Sequence, residues 1–292
     1  VAWLLIFLAG AGVMIVLSGC DQASVRVSTP MPLQQTPSAA RTSALSPPES
    51  EASTPQPWDS GWVETEPGVA IRQKRWQVLG SVDDYAPVHM VRLDPTLVSF
   101  HVAYNPDSPY TISKLCDDPQ VIAALNGGFF DDTYRATALV ISGGQMSGRS
   151  YQRQGGMFAV DVAGNVSLRY LGEVPYRPEE QLVEALQSWP MLIKPGGIAT
   201  YFSVSDTKRA RRSVLAVDRT GHILFLAFPT SDLTLEELAP WLVQSDLEID
   251  AALNLDGGSS TGLCVQSGGQ HEQIDAFSPI PLVLMATRNQ AP

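Results

Sequence analysis

The sequence predicts an α+β fold, a single body of mixed, strand-rich sheets with a few packed helices, and three observations carry that expectation. Short runs such as Val88-His89-Met90-Val91-Arg92-Leu93 alternate polar and apolar residues much as a half-buried strand does. Glycine, proline, asparagine and aspartate punctuate these runs at short intervals, as hairpin connections require. Helical spacing is confined to short stretches at residues 111–115, 179–187 and 234–242.

The chain has 292 residues, 44% of them hydrophobic and 17% charged, and a formal net charge of -11. That composition suits a globular protein, and its acidity argues against a nucleic-acid partner, which would want a basic face. Cys20, Cys116 and Cys264 are too far apart for a metal ribbon, which needs close cysteine pairs.

From Ala2 to Leu17 the sequence is almost wholly apolar, a length that fits the hydrophobic region of an export signal better than a membrane span of about 20 residues. Leu17-Ser18-Gly19-Cys20 follows directly and resembles the lipobox of bacterial lipoproteins, in which the cysteine becomes the lipid-modified first residue of the mature protein. Residues 1–20 are therefore expected to be a lipoprotein signal peptide ending at the lipid attachment point Cys20. The lipid would tether the body to the extracytoplasmic face of the cell membrane, and an uncleaved N-terminal anchor would place it on the same side. Residues 21–57 carry seven prolines among Ser, Thr, Ala and Gln, with almost no large apolar residue to offset the entropy of ordering. They read as a disordered, semi-extended tether, and the folded body begins near Trp58.

Within the body, the runs at 69–72, 76–79, 88–93 and 97–103 read as antiparallel strands, with His89 and His101 on sheet surfaces. Thr111 begins a short helix. Val121-Ile122-Ala123-Ala124-Leu125-Asn126 reads as a buried strand running into Gly127-Gly128-Phe129-Phe130-Asp131, where the phenylalanines either wall a sugar site or fill the core. Residues 137–166 read as glycine-turned hairpins, and 179–187 as an amphipathic helix through Leu182, Val183 and Leu186.

Lys208-Arg209-Ala210-Arg211-Arg212 is the one dense basic cluster, and it precedes a strand at 213–218. It is either a solvated face or an anion clamp, since a guanidinium donates two parallel hydrogen bonds to a phosphate. Residues 234–242 read as a helix with Ser231 or Asp232 near its cap and Pro240 weakening its second half. Closing strands are expected at 263–266 and 281–286. Cys116 and Cys264 could pair in an exported protein.

The most informative stretch is Ala251-Ala252-Leu253-Asn254-Leu255-Asp256-Gly257-Gly258-Ser259-Ser260, in which an apolar run delivers an amide and a carboxylate to a sharp glycine turn lined with hydroxyls. It echoes Ala123-Ala124-Leu125-Asn126-Gly127-Gly128. Two buried strands, each ending in an asparagine and a glycine turn, would form one pocket if they lay side by side. The ordinary alternative is a buried strand closing in a polar turn, because Asp-Gly is a common turn dipeptide.

Taken in order, Asn126-Gly127-Gly128-Phe129-Phe130, Gln187 with Pro190 and Leu192, Arg212-Ser213, Leu235-Glu236-Glu237-Leu238-Ala239 and Asn254-Leu255-Asp256-Gly257-Gly258-Ser259-Ser260 resemble the motifs of the phosphodiester glycosidase domain. The resemblance runs over roughly residues 85 to 290, so residues 58–292 are expected to form such a domain. The last motif often has three glycines after its aspartate; here Ser259 takes the third place.

The resemblance implies hydrolysis of sugar 1-phosphodiesters at the anomeric carbon, releasing a free sugar and a phosphate monoester. Such a leaving group needs less acid assistance than the alcohol of an ordinary glycoside, whose cleavage uses paired carboxylates. On this reading Asp256 is general base or nucleophile, Arg212 holds the phosphate, and Asn126 and Gln187 orient the substrate. Amides at Gly127-Gly128 and Gly257-Gly258, with the Ser259 and Ser260 hydroxyls, cradle phosphate oxygens, while Phe129 and Asn254 line the substrate site. Asp131 is a second acid, a metal ligand or a turn residue. No cofactor is required with certainty; acidic and amide oxygens could accept Ca²⁺ or Mg²⁺, although no loop of the calcium type is visible. The expected partners are a sugar-phosphate or cell-envelope glycan substrate and the membrane, through the lipid. The alternative from another class is a non-catalytic, glycan-binding envelope lipoprotein using the same cleft.

Overall fold

The structure, a computed structural model, describes residues 58–77, 85–151, 155–200 and 208–289. The apolar N-terminal run, Cys20, the proline-rich tether and the end of the expected strand at 78–79 lie outside the described residues.

In chain order the elements are β1 (Val63–Glu66), β2 (Val69–Gln77), β3 (Tyr85–Leu93), β4 (Val98–Tyr104), α1 (Ile112–Leu115), β5 (Val121–Asn126), β6 (Val140–Ser142), β7 (Gln145–Ser147), β8 (Gly156–Asp161) and β9 (Val166–Tyr170). There follow β10 (Leu182–Ser188), β11 (Met191–Lys194), β12 (Ile198–Ala199), β13 (Ala210–Asp218), β14 (Ile223–Leu233), α2 (Leu235–Gln244), β15 (Ile249–Asn254), a 3-10 turn at Gly258–Ser260, β16 (Leu263–Ser267), β17 (Gln270–Ile274) and β18 (Leu282–Arg288).

The strands form three sheets. The largest has the order β1-β2-β3-β14-β13-β15-β11-β12, the second β17-β16-β5-β18-β4 and the third β7-β6-β10-β8-β9. Every named pairing is antiparallel. With two short α-helices among the described residues, the body is more β than the α+β expectation, which allowed for several packed helices.

Period-two alternation sends one face of each sheet into a shared core. Leu93, Leu215, Phe225 and Leu253 come from the first sheet, Phe100, Leu125, Val265 and Leu284 from the second, and Val140, Phe158 and Leu186 from the third. Phe100 sits at the junction, edge-on to Phe158 at 5.8 Å and to Phe225 at 6.3 Å. The opposite face of the first sheet is covered by α2, whose Leu238 and Leu242 pack with Trp76, Val214 and Phe228.

Two helical expectations change. Residues 179–187 are not a helix: β10 runs through them as the central strand of the third sheet, with Leu186 in the shared core and Ala185 buried against the sheet's other side. A strand buried on both faces has no polar alternation, so its apolar spacing mimics a short helix. The α2 cap is Thr234 rather than Ser231 or Asp232, because β14 continues to Leu233. Thr234 accepts from the Glu237 N–H while the Glu237 carboxylate accepts from the Thr234 N–H, a complete capping box. The helix continues through Pro240 to Gln244, pinned by Trp241 against Trp76 and Phe228.

Cys116, at the end of α1, and Cys264, on β16, are joined by a disulfide with a Cα–Cα separation of 6.2 Å. It ties α1 to the outer face of the second sheet, with Ile112, Ala124 and Val283 around it.

Candidate functional site

β5 and β15 do not lie side by side: they belong to different sheets and meet at their C-terminal ends. The Asp256 N–H donates to Gly127 O at 3.0 Å, and Asn126 Nδ2 donates to Asp256 O at 2.7 Å. Asn126 Oδ1 in turn accepts from Ser213 Oγ at 2.6 Å and from the Gly262 N–H at 3.1 Å. Asn126 has no exposed surface, so it is the latch that fastens the end of β15, the start of β13 and the chain leading into β16 around one point.

Two glycines let the chains approach this closely. A Cβ on Gly128 would lie 2.5 Å from Gln187 O, and one on Gly257 would lie 2.7 Å from Arg211 O. Gly258 adds a φ of +62° and turns the chain into the 3-10 turn that carries Ser259, exposed, and Ser260, buried.

Asp256 is the titratable group at this convergence. Its Oδ1 accepts from the Gly257 N–H at 2.9 Å. Burial pushes its carboxyl above the usual carboxylate range, against the lowering pull of the Ser260 side chain and the Gly257 N–H. A half-exposed acid with a raised pKa, on a main chain fixed from two sides, has the form of a general base or nucleophile.

The structure distributes the sequence-predicted residues as follows. Asn126, Gly127, Gly128, Asn254, Asp256, Gly257, Gly258, Ser259 and Ser260 come together at the meeting of β5 and β15. Asn254 donates to Trp189 O at 2.9 Å beside the cis Trp189–Pro190 peptide. Gln187 presents its carbonyl to Gly128, but its side chain points elsewhere, accepting from the Tyr151 N–H and donating to Ser150 Oγ. Phe129 is half-buried, and its carbonyl accepts from the Thr137 N–H. Asp131 is an exposed turn residue whose Oδ1 accepts from the Thr133 and Arg135 N–H groups. Arg212 is buried beside the turn, its Cδ 3.8 Å from where a Cβ on Gly257 would lie, and its guanidinium donates to Leu233 O and Lys208 O.

The neighbouring Arg211, at an irregularity in the β13–β14 pairing, also borders the convergence. It is 4% exposed, donates to Asp275 O at 2.9 Å, and its guanidinium carbon lies 4.1 Å from the centre of the Phe277 ring. Its Nε and Nη1 make no hydrogen bond within the protein, and burial lowers its pKa, opposed by Asp275. The Ser188 and Thr261 hydroxyls and Asn254 Oδ1, all next to latch or turn residues, are likewise buried without a protein partner. Sequence reasoning named Arg211 only as part of the basic cluster and gave no role to Phe277, Ser188 or Thr261, which no local pattern signals.

Among the described residues no group of three or more His, Cys, Asp or Glu side chains is arranged to hold a metal ion. A surface cleft of about 670 Å³, lined by Tyr104, Asp107, Arg135, Ser142 and Gln145 among others, takes in none of the residues at the strand-end convergence. Hydrogen bonding, not cleft size, marks the site.

The fold resembles the catalytic domain of zebrafish N-acetylglucosamine-1-phosphodiester alpha-N-acetylglucosaminidase, solved in a form auto-inhibited by its pro-peptide, with a TM-score of 0.61 and 17% identity over 80% of this chain and 88% of that one. It also resembles a hypothetical protein from Synechocystis, with a TM-score of 0.56 and 17% identity over 82% of this chain and 65% of that one. In sequence, 118 residues are 29% identical to the uncharacterized protein YigE of Escherichia coli (strain K12), covering 37% of this chain and 44% of that protein, so the chain spans less than half the length of this curated relative. Residues 119–286, more than half of the chain, match the family described as phosphodiester glycosidase, and the stretch takes in the Asn126 latch, both arginines and the Asp256 turn. The chain belongs to the phosphodiester glycosidase family.

Proposed function

We propose that the protein hydrolyses sugar 1-phosphodiesters, with Asp256 as the reacting carboxylate. One observation carries the reading: within the family-matched stretch, a carboxyl pushed upward by burial stands on a backbone clamped by Asn126 and Gly127. In the reaction the bond between the anomeric carbon and the phosphate oxygen breaks, and its electron pair leaves with the phosphate monoester. A water oxygen bonds to the anomeric carbon, either directly, as Asp256 takes its proton, or after Asp256 has formed and released a glycosyl ester. The phosphate monoester is a good leaving group, so no second carboxylate is required. The Ser259 hydroxyl and the Gly258 and Ser259 peptide N–H groups would meet the leaving phosphate, while the Gly257 N–H and the Ser260 side chain serve Asp256 and Asn126 holds its main chain.

The second part of the proposal is that the protein is exported and tethered to the membrane through Cys20. Besides the lipobox-like Leu17-Ser18-Gly19-Cys20, the Cys116–Cys264 disulfide supports it, because such bonds persist mainly in oxidising compartments outside the cytoplasm.

The test is to incubate the purified full chain with a nucleotide sugar such as UDP-N-acetylglucosamine and measure free reducing sugar. Wild type is expected to release it, and Asp256→Ala to reduce kcat by a factor on the order of 10² or more, the scale of a lost general base. Equal glycan binding by both proteins with no release from either would replace the hydrolase by the non-catalytic glycan-binding reading.

A further inference from the structure

We propose that Phe277 is a stacking platform for the apolar face of a pyranose ring, stiffened from beneath by Arg211; the proposal rests on the hydrolase reading and adds a sugar-recognition residue to its site. Phe277 is 77% exposed, the most exposed of the large apolar side chains among the described residues. An exposed aromatic on a loose loop would carry little information, but this loop is held at three points, one of them on the Asp256 turn. The Phe277 N–H donates to Ser259 O at 2.7 Å. Ala276 packs against Gly262, where a Cβ would meet it at 3.3 Å. Asp275 accepts from Arg211 through its carbonyl and from Gln273 Nε2 through both carboxylate oxygens. The ring is therefore set before any ligand arrives, which lowers the entropic cost of binding.

Arg211 is the second, independent observation. A guanidinium that is almost wholly buried, with Nε and Nη1 unpaired, is unfavourable for stability, and the Asp275 carbonyl, the Asp275 charge and the ring offset part of that cost. Packing does not require it, since an apolar side chain of similar length would support the loop at lower cost. What the cation provides is a ring held flat, with its far face open, and a local positive charge in a chain whose net charge is -11. A sugar that carries a phosphodiester matches both features: its C–H face stacks on an aromatic ring, and its anion is drawn to the charge.

The experiment uses the full chain and two readouts: steady-state hydrolysis of UDP-N-acetylglucosamine, and calorimetric binding of N-acetylglucosamine 1-phosphate to an Asp256→Asn background. Phe277→Ala is expected to raise KM and weaken binding about ten-fold, the scale of one lost aromatic contact, with kcat nearly unchanged and a small fall in melting temperature from the lost ring over Arg211. Phe277→Trp is expected to restore both. Arg211→Met should raise KM in the wild-type background and by a smaller factor in Phe277→Ala, where only the attraction of its charge for the anion is left to lose; an equal factor in both would overturn support of the ring by Arg211. Unchanged KM and binding in Phe277→Ala, alongside active wild type, would overturn the platform and leave the hydrolase standing. Weakened binding in Phe277→Ala, alongside an inactive wild type, would overturn the hydrolase and leave the platform standing.

Discussion

Asp256 illustrates how a site residue works against stability. Burial raises its folded-state pKa above the unfolded value near 4, so the native state binds the proton more tightly than the unfolded chain does. The ionised carboxylate therefore lowers stability at every pH above the folded pKa, and the penalty disappears as pH falls below the unfolded value. Asp256→Asn is expected to melt at a higher temperature than wild type at pH 7 and to lose that advantage when the melts are repeated near pH 3. In activity the same shift places the acid limb of kcat/KM above that of an ordinary aspartate, and a limb no higher than that would remove Asp256 as the base. The aspartate and its glycine turn were legible in the sequence because a short apolar run, an Asx residue and paired glycines mark a strand end. The setting of Arg211 and Arg212 was not, since the β13–β14 pairing is irregular at this pair and the burial of both depends on distant segments.

At the scale of elements, the correctly read strands are those with one wet face or a glycine turn at the end. β3 alternates half-buried and buried residues, and β6 and β7 are joined through Gly143 and Gly144, both at positive φ. β10 escaped because both of its faces are covered, leaving no alternation to detect. The buried Glu184 within it, which accepts from the Val102 N–H at 3.0 Å, caps the edge of the second sheet, a role that no local pattern announces. For α2, the capping box places a definite value on one hydroxyl. Thr234→Ala is expected to lower stability by about 1 kcal/mol in denaturant titrations while leaving sugar release unchanged, because α2 packs on the face of the first sheet turned away from the shared core.

For the whole molecule, a three-sheet body was not deducible from one sequence, because strand order depends on pairings between distant segments; β14 pairs with β3, and β16 with β5. The cysteine pairing lay open for the same reason, 148 residues separating the partners. Cys116→Ser with Cys264→Ser is expected to lose about 2–5 kcal/mol of stability, measured against wild type under non-reducing conditions. An unchanged denaturation midpoint would mean that the bond is dispensable once the sheets have docked.

The Asn126 latch has a consequence for how the chain becomes competent. Its partners, Ser213, Asp256 and Gly262, come from segments that emerge long after Asn126 itself: Ser213 lies on β13, Asp256 follows β15 and Gly262 precedes β16, which belongs to the other sheet. No fragment ending before residue 262 can complete the set, and no single sheet contains it. The proposed chemistry thus requires the two sheets to be docked, so the recovery of sugar release during refolding, compared with the return of sheet signal, is expected to time that docking.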